Sequence, residues 1–251
     1  MRRNYRFLIA YDGSRYYGWE HQPNTPLTIQ GQLEDMLRRY AGKDVEILGA
    51  GRTDAGVHAL GMVAHAWLDL GEEGPENLKA VRDQMNDLLP EDIRIREIRA
   101  AGNGFHSRYS AIGKTYRYTC YVGENKPVFH RKYVHICERM PDLEKMRAVA
   151  ELLLGNQDFA SFCSNAKEMK STVRRVDQIH IQREGDYLTL TFHGSGFLQH
   201  MVRILTGTLL EVGYGERTPE SMTEVLAAKE RAKAGFTAPA KGLCMMQVDY
   251  H

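Results

Sequence analysis

No apolar run in this 251-residue chain approaches the length that crosses a bilayer. The start, MRRNYRFLIAYDGS, has basic residues but only a four-residue apolar run, too short for a secretory leader. Cysteine is scarce. Cys120, Cys137, Cys163 and Cys244 stand far apart and form no C-x-x-C pair, which argues against a structural zinc site and implies no disulfide framework. There is no P-loop and no G-x-G-x-x-G turn, so neither nucleotide hydrolysis nor a dinucleotide cofactor is signalled. A charge excess is missing as well. Lys and Arg number 33 against 32 Asp and Glu, for a net charge of +1, so any basic footprint must be local. Residues 1–110 carry 14 basic against 16 acidic side chains, and residues 111–251 carry 19 against 16. These absences predict a cytoplasmic, metal-free protein with no membrane span.

What is present is an ordinary globular composition, 43% hydrophobic and 26% charged, in a chain long enough for a real core. YRFLIAY (5–11) alternates like a strand. TIQGQLEDMLRRYAG places Ile29, Leu33, Met36, Leu37 and Tyr40 on one helical face, with Gly42 as its stop. VEIL (45–48) and MVAHAWLDL (62–70) read as strands. GPENLKAVRDQMNDLLP is a second helix opened by Pro75, and DIRIREI (92–98) a further strand. The order β-α-β-β-α-β is the split βαβ, ferredoxin-like pattern.

The second half repeats the order without repeating the sequence. It has strands at 115–122, 175–194 (turned at Glu184-Gly185-Asp186) and 242–250, helices at 142–155 and 197–213, and an extra helix at 219–232. The expectation is an α+β protein of two ferredoxin-like, RRM-like halves, 1–105 and 106–251, with antiparallel sheets and a central cleft. The segment 100–114, with three glycines, is the expected junction.

GAGRTDAGVHALG (49–61) holds one carboxylate, Asp54, in a Gly-rich turn between strands. A turn aspartate that bonds nearby N–H groups is the ordinary occurrence. No second carboxylate stands near enough for an acid/base pair of the glycosidase kind, yet a lone carboxylate beside the cation Arg52 can act as a nucleophile. His58 and His65 lack the helical spacing of a metal pair, and His65 reads as a core histidine. Arg203, on an amphipathic helix bearing Met201, Val202, Leu205 and Leu209 inward, is either exposed or aimed into the cleft. In GKTYRYTCY, Tyr116 and Tyr118 share one strand face; they are core aromatics or a stacking platform for a base. The loop CSNAKEMKSTVRRV has Lys167, Lys170, Arg174 and Arg175 against Glu168, a solvated surface or a phosphate contact.

Taken together, GAGRTDAGVHALG, YDGSRYYGW, TIQGQLED, FHSRYSAIGKTYRY, DFASFC, GFLQHMVRILTGTLLEVG and GLCMMQVDY resemble, in order and spacing, the TruA-type tRNA pseudouridine synthases over essentially the whole chain. The resemblance implies the pseudouridine synthase fold and isomerisation of uridine at positions 38–40 of the tRNA anticodon arm by a cytoplasmic homodimer, with no cofactor. It matches Asp54 to the catalytic nucleophile, Tyr116 to the residue stacked on the target uracil, and Arg203 to the arginine that pairs with the Asp. Arg52 matches the arginine that holds the base out of its stack. Phe105, His106, Ser107, Arg108, Tyr109, Lys167 and Lys170 match RNA-contacting segments, and Leu243 a residue lining the uridine pocket. Glu20, Gln157 and Ile204 depart from the family's pattern. The other readings are a paralogue acting on another RNA such as ribosomal RNA, a non-catalytic RNA-binding module, and a metal-dependent hydrolase using Asp54, His58 and His65. The RNP1 pattern of RNA-binding modules is absent from both halves.

Overall fold

A computed structural model describes residues 1–71 and 74–251 of the chain. It is an α+β protein, and it divides into two compact units, residues 1–112 with 244–251 and residues 113–243.

In the first unit, β1 (Arg3–Tyr11) buries Tyr5, Phe7, Ile9 and Tyr11 on one face, as the period-2 pattern predicts. Helix α1 (Ile29–Ala41) starts at Thr28, whose hydroxyl takes the Gly31 N–H at 3.2 Å. It ends at Gly42, which is left-handed and returns its N–H to Arg38 O. The strand expected over 45–48 shrinks to β2 (Leu48–Gly49). Ile47 takes its hydrogen bonds from α1 instead, its N–H on the Glu34 carboxylate and its carbonyl on the Gln30 amide. Strand β3 (His58–Leu68), helix α2 (Pro75–Asp87) and β4 (Ile93–Ala100) complete the expected β-α-β-β-α-β order. Strand β1 lies between β4 and β3, antiparallel to both.

In the second unit, β5 (Gly113–Tyr121) pairs with the short β6 (His135–Ile136). Helix α3 (Leu143–Leu152) is capped by Asp142, whose carboxylate takes the N–H groups of Glu144 and Lys145. Strands β7 (Gly155–Asp158), β8 (Val173–Glu184) and β9 (Tyr187–Gly194) follow, β8 and β9 turning at Gly185 as expected. Strand β9 lies between β5 and β8, and β7 extends the sheet beyond β8. Helix α4 (Met201–Gly213) packs on α3 and buries Met201, Val202, Leu205 and Leu209. It starts four residues later than the pattern suggests because His200 is left-handed, at φ 61°. Helix α5 (Ser221–Ala228) likewise stops early at a left-handed Lys229.

The expected purely antiparallel sheets are corrected in two places. The last strand, β10 (Leu243–Asp249), runs parallel to β3 through Cys244 and Met245, and β6 runs parallel to β5. A parallel partner needs a long connection, which residues 69–242 supply for β10. Gly61 lets the strand in, since a Cβ there would stand 2.2 Å from Met246 O. Residues 244–251 and 106–112 thus lie with the first unit, where sequence order had assigned them to the second half.

Candidate active site

Each unit carries part of the predicted set. In the first, Asp54 sits half-buried in the turn between β2 and β3. Its carbonyl takes the Val57 N–H at 3.1 Å, and Gly56 turns the chain at φ 79°. The loop after β1 grips this turn from outside. Trp19 donates its N–H to Thr53 O at 3.0 Å, and Gly56 donates to Tyr16 O at 3.2 Å. Tyr11 Oη and Thr53 Oγ1 are 2.7 Å apart in a buried hydrogen bond. The Trp19 indole lies so close to Gly49 that a Cβ there would stand 2.5 Å from the ring. On the far side, a Cβ on Gly13 would stand 2.0 Å from Val57 O. Glycine at 49 and 13 is therefore a packing requirement, and it fixes the backbone that presents Asp54.

The loop is itself anchored at its base. Tyr16 donates its phenol to Asp92 Oδ1 at 2.6 Å, and Arg15 pairs with Asp92 Oδ2 at 2.5 Å. Burial, followed by the Asp92 hydrogen bond, pushes the Tyr16 phenol up to about 12. His58 takes the Gly13 N–H on Nδ1 at 3.0 Å. The same nitrogen lies 3.1 Å from Asp12 Oδ1. His65 is the core histidine the sequence suggests, 5% exposed, with Nδ1 taking the Ser107 N–H at 3.2 Å. Burial, and secondarily the His106 charge, lower its pKa. The two rings serve different neighbours, and among the described residues no three His, Cys, Asp or Glu side chains gather as a metal site requires. Arg52 extends outward to Glu20, 3.0 Å away, both side chains about half exposed.

The FHSRY segment splits by depth. Ser107 was expected among the RNA contacts, but it is fully buried, its hydroxyl on Leu48 O at 2.6 Å and its carbonyl on the Tyr250 phenol at 2.6 Å. It fastens the segment and leaves no surface for RNA. Phe105 packs at a tilt against Tyr250, with ring centroids 5.1 Å apart. His106 is sandwiched between His65 and Tyr109, and Tyr109 and Arg108 face solvent. Most of the expected junction, up to residue 112, is therefore a packed piece of the first unit. Asn4 holds it from below, its amide on Gly102 O and Phe105 O.

In the second unit, Tyr116 is half-buried on β5, opposite Phe192, with the Phe197 ring edge-on at 5.4 Å. Tyr118 on the same face is fully buried and donates to Pro239 O at 2.8 Å. Burial raises its phenol far above the ordinary range, so it serves as a fixed donor in the core. Arg203 is half-buried on the first turn of α4. Its Nε donates to Ala238 O at 2.8 Å, and the Ala238 N–H returns to Arg203 O at 3.1 Å. This double tie sets the direction of the guanidinium. Leu243 is 5% exposed. Lys167, on a single helical turn at 166–168, and Lys170 are both exposed. Sequence reasoning missed Trp19, Asp92 and Ala238. YDGSRYYGW hinted at the first; the other two have no local signal.

The chain matches known sequences over nearly its whole length. The family model described as tRNA pseudouridine synthase matches residues 8–110 and 149–251. A tRNA pseudouridine synthase A of Geobacter sulfurreducens is 43% identical over 99% of this chain and all of its own length. Those of Clostridium kluyveri and Brevibacillus brevis are 39% and 41% identical, covering 99% and 98% of this chain and 100% and 98% of their own. The chain belongs to the tRNA pseudouridine synthases, isomerases that act on tRNA. No helix among its described residues is long and apolar enough to cross a membrane.

Proposed function

We propose that this enzyme converts uridine to pseudouridine at positions 38–40 of the tRNA anticodon arm, with Asp54 as its nucleophile. In the reaction the N1–C1′ bond breaks, the uracil rotates, C5 bonds to C1′, the C5 hydrogen leaves to solvent and N1 takes a proton. No redox step or energy source enters the balance. Asp54 either forms an adduct with ribose or base, or promotes loss of a ribose proton. Arg203 pairs with it. Tyr116 stacks on the uracil and accepts a proton. Arg52 exchanges Glu20 for RNA and holds the base out, offsetting an unstacking cost of a few kcal/mol. Leu243 lines the pocket. Phe105, His106, Arg108, Tyr109, Lys167 and Lys170 belong to the RNA-contacting segments. The frame is two ferredoxin-like halves around a central cleft, in a cytoplasmic homodimer.

The observation that carries this reading is the clamping of one half-buried carboxylate by a loop whose close approaches only glycine allows. A plain turn aspartate does not need a tryptophan wedge, a buried Tyr–Thr hydrogen bond and a base of Tyr16 on Asp92 around it. The test is to map pseudouridines by carbodiimide modification and primer extension, on a tRNA transcript with uridines at 38–40 and on total RNA. Stops at 38–40 support the proposal. Stops only in the other RNA keep the chemistry and discard the target, and no stops in either leave an RNA-binding module.

A further inference from the structure

The second unit carries an exposed feature that the reaction does not use. In the segment between β5 and β6, KPVFHRKY (126–133), Phe129 is 88% exposed, Val128 67% and Tyr133 43%. Isolated surface apolar residues are common, but three together at one loop tip, with a phenyl ring almost wholly in water, are not. Lys126, Arg131 and Lys132 flank them along the chain, all exposed, with the exposed Glu124 two positions before Lys126. The segment is braced from within. Tyr133 closes a turn by its N–H on His130 O at 2.9 Å. His130 bonds the Tyr187 phenol at 2.7 Å, and Tyr187 packs edge-on against Tyr121 at 5.3 Å. The Arg131 guanidinium returns to Val128 O, and Lys241 reaches Arg131 O at 3.4 Å, bringing a fourth cation.

We infer that this tip is an RNA-docking surface, on which Phe129 stacks an unpaired base while Lys126, Arg131 and Lys132 hold the flanking phosphates. An exposed aromatic ring among cations is the combination that binds single-stranded nucleic acid, because every base offers a π-face and every nucleotide a charge. A second copy of this chain is the other occupant to weigh. A two-fold contact centred on this tip would set its positive charge against itself, and repulsion disfavours it. The inference rests on the tRNA substrate of the family. It adds a contact outside the residues placed at the reacting uridine.

The test compares wild type with Phe129→Ala, Phe129→Tyr and the double variant Lys126→Glu/Lys132→Glu. Each is measured for Kd on an unmodified tRNA transcript, for kcat and KM in tritium release, and for mass by ultracentrifugation. Phe129→Ala should weaken binding about tenfold and raise KM with kcat unchanged, since the ring touches no reacting atom. Phe129→Tyr should bind as wild type does. The charge reversals should flatten the salt dependence of binding by about two units of log–log slope. Because the altered side chains are exposed, melting temperature should stay put. Unchanged Kd and salt slope in all variants, with normal turnover, would overturn the docking surface and leave the enzyme reading intact. Conversion of a dimer to a monomer by Phe129→Ala at unaltered RNA affinity would overturn it in favour of the second copy. Weakened RNA binding in a protein whose wild type releases no tritium would support the surface and sink the proposed reaction.

Discussion

Gly207→Ala on α4 is a sharp test, because two opposite effects compete there. In an ordinary helix interior, alanine is favoured over glycine by about 1 kcal/mol. Here the new methyl would stand 1.9 Å from Phe236 O, and real Cβ atoms essentially never come nearer than 3.0 Å. The backbone at Phe236 must retreat by more than 1 Å. That backbone belongs to a strap laid along α4 by four hydrogen bonds. Gly235 N–H reaches Thr208 Oγ1 and Phe236 N–H reaches Glu211 Oε1, each at 2.9 Å. The other two are the paired bonds between Ala238 and Arg203. Overpacking costs about 1–3 kcal/mol, and each net hydrogen bond lost adds about 1 kcal/mol. With two bonds lost and the helix propensity set against them, the substitution should destabilise by about 2–4 kcal/mol. That corresponds to a fall in Tm of roughly 4–16 °C, read by circular dichroism or scanning fluorimetry. Turnover per folded molecule should fall too, since the strap aims Arg203. A Tm equal to wild type or higher would refute the reasoning, because propensity would then have won.

Arg203→Ala should lower kcat by roughly a hundredfold, the scale of losing one electrostatic partner at a reacting centre, and Arg203→Lys should recover little because the fork geometry is lost; turnover unaltered in both would remove Arg203 from the site. Charge reversal at Lys167 and Lys170 should weaken tRNA binding and flatten its salt dependence by about two units of slope, and an unchanged slope would return that loop to plain solvated surface. The pH dependence of stability follows from His65, buried, and His135, half-buried, both lowered in pKa by burial first. A histidine depressed in the fold favours the native state above its unfolded value of about 6.5, and that contribution is lost as pH falls below it. Tm should therefore drop between pH 7.5 and 5.5, and His135→Gln should shrink the drop; parallel curves would contradict the assignment.

The parts of this protein that could be read from sequence are those written locally. The alternation of β1, the Gly42 stop and the Gly185 turn are each decided within a few residues. Strand β7 was not legible, since GNQD has neither alternation nor β-branched side chains and is a strand only because β8 supplies its partner. The shortening of β2 and the parallel docking of β10 likewise depend on partners remote in sequence, Gln30 and Glu34 for one and β3 with Gly61 for the other. The same division runs through the site. Asp54, Tyr116 and Arg203 stood out by motif. Trp19 wedged on Gly49 and Ala238 tied to Arg203 are contacts across 30 and 35 positions. FHSRY marked its segment without revealing that the Ser107 side chain is an anchor turned inward.

The central claim is that the carboxylate in the clamped turn performs the chemistry. The most direct measurement is tritium release from tRNA labelled at uridine C5, by wild type and by Asp54→Ala, with tRNA binding followed in the same samples. The account predicts release by wild type, none above background by Asp54→Ala, and tRNA affinity within a few-fold of wild type in both. Substantial release by Asp54→Ala would contradict it, and would return Asp54 to the role of a turn residue.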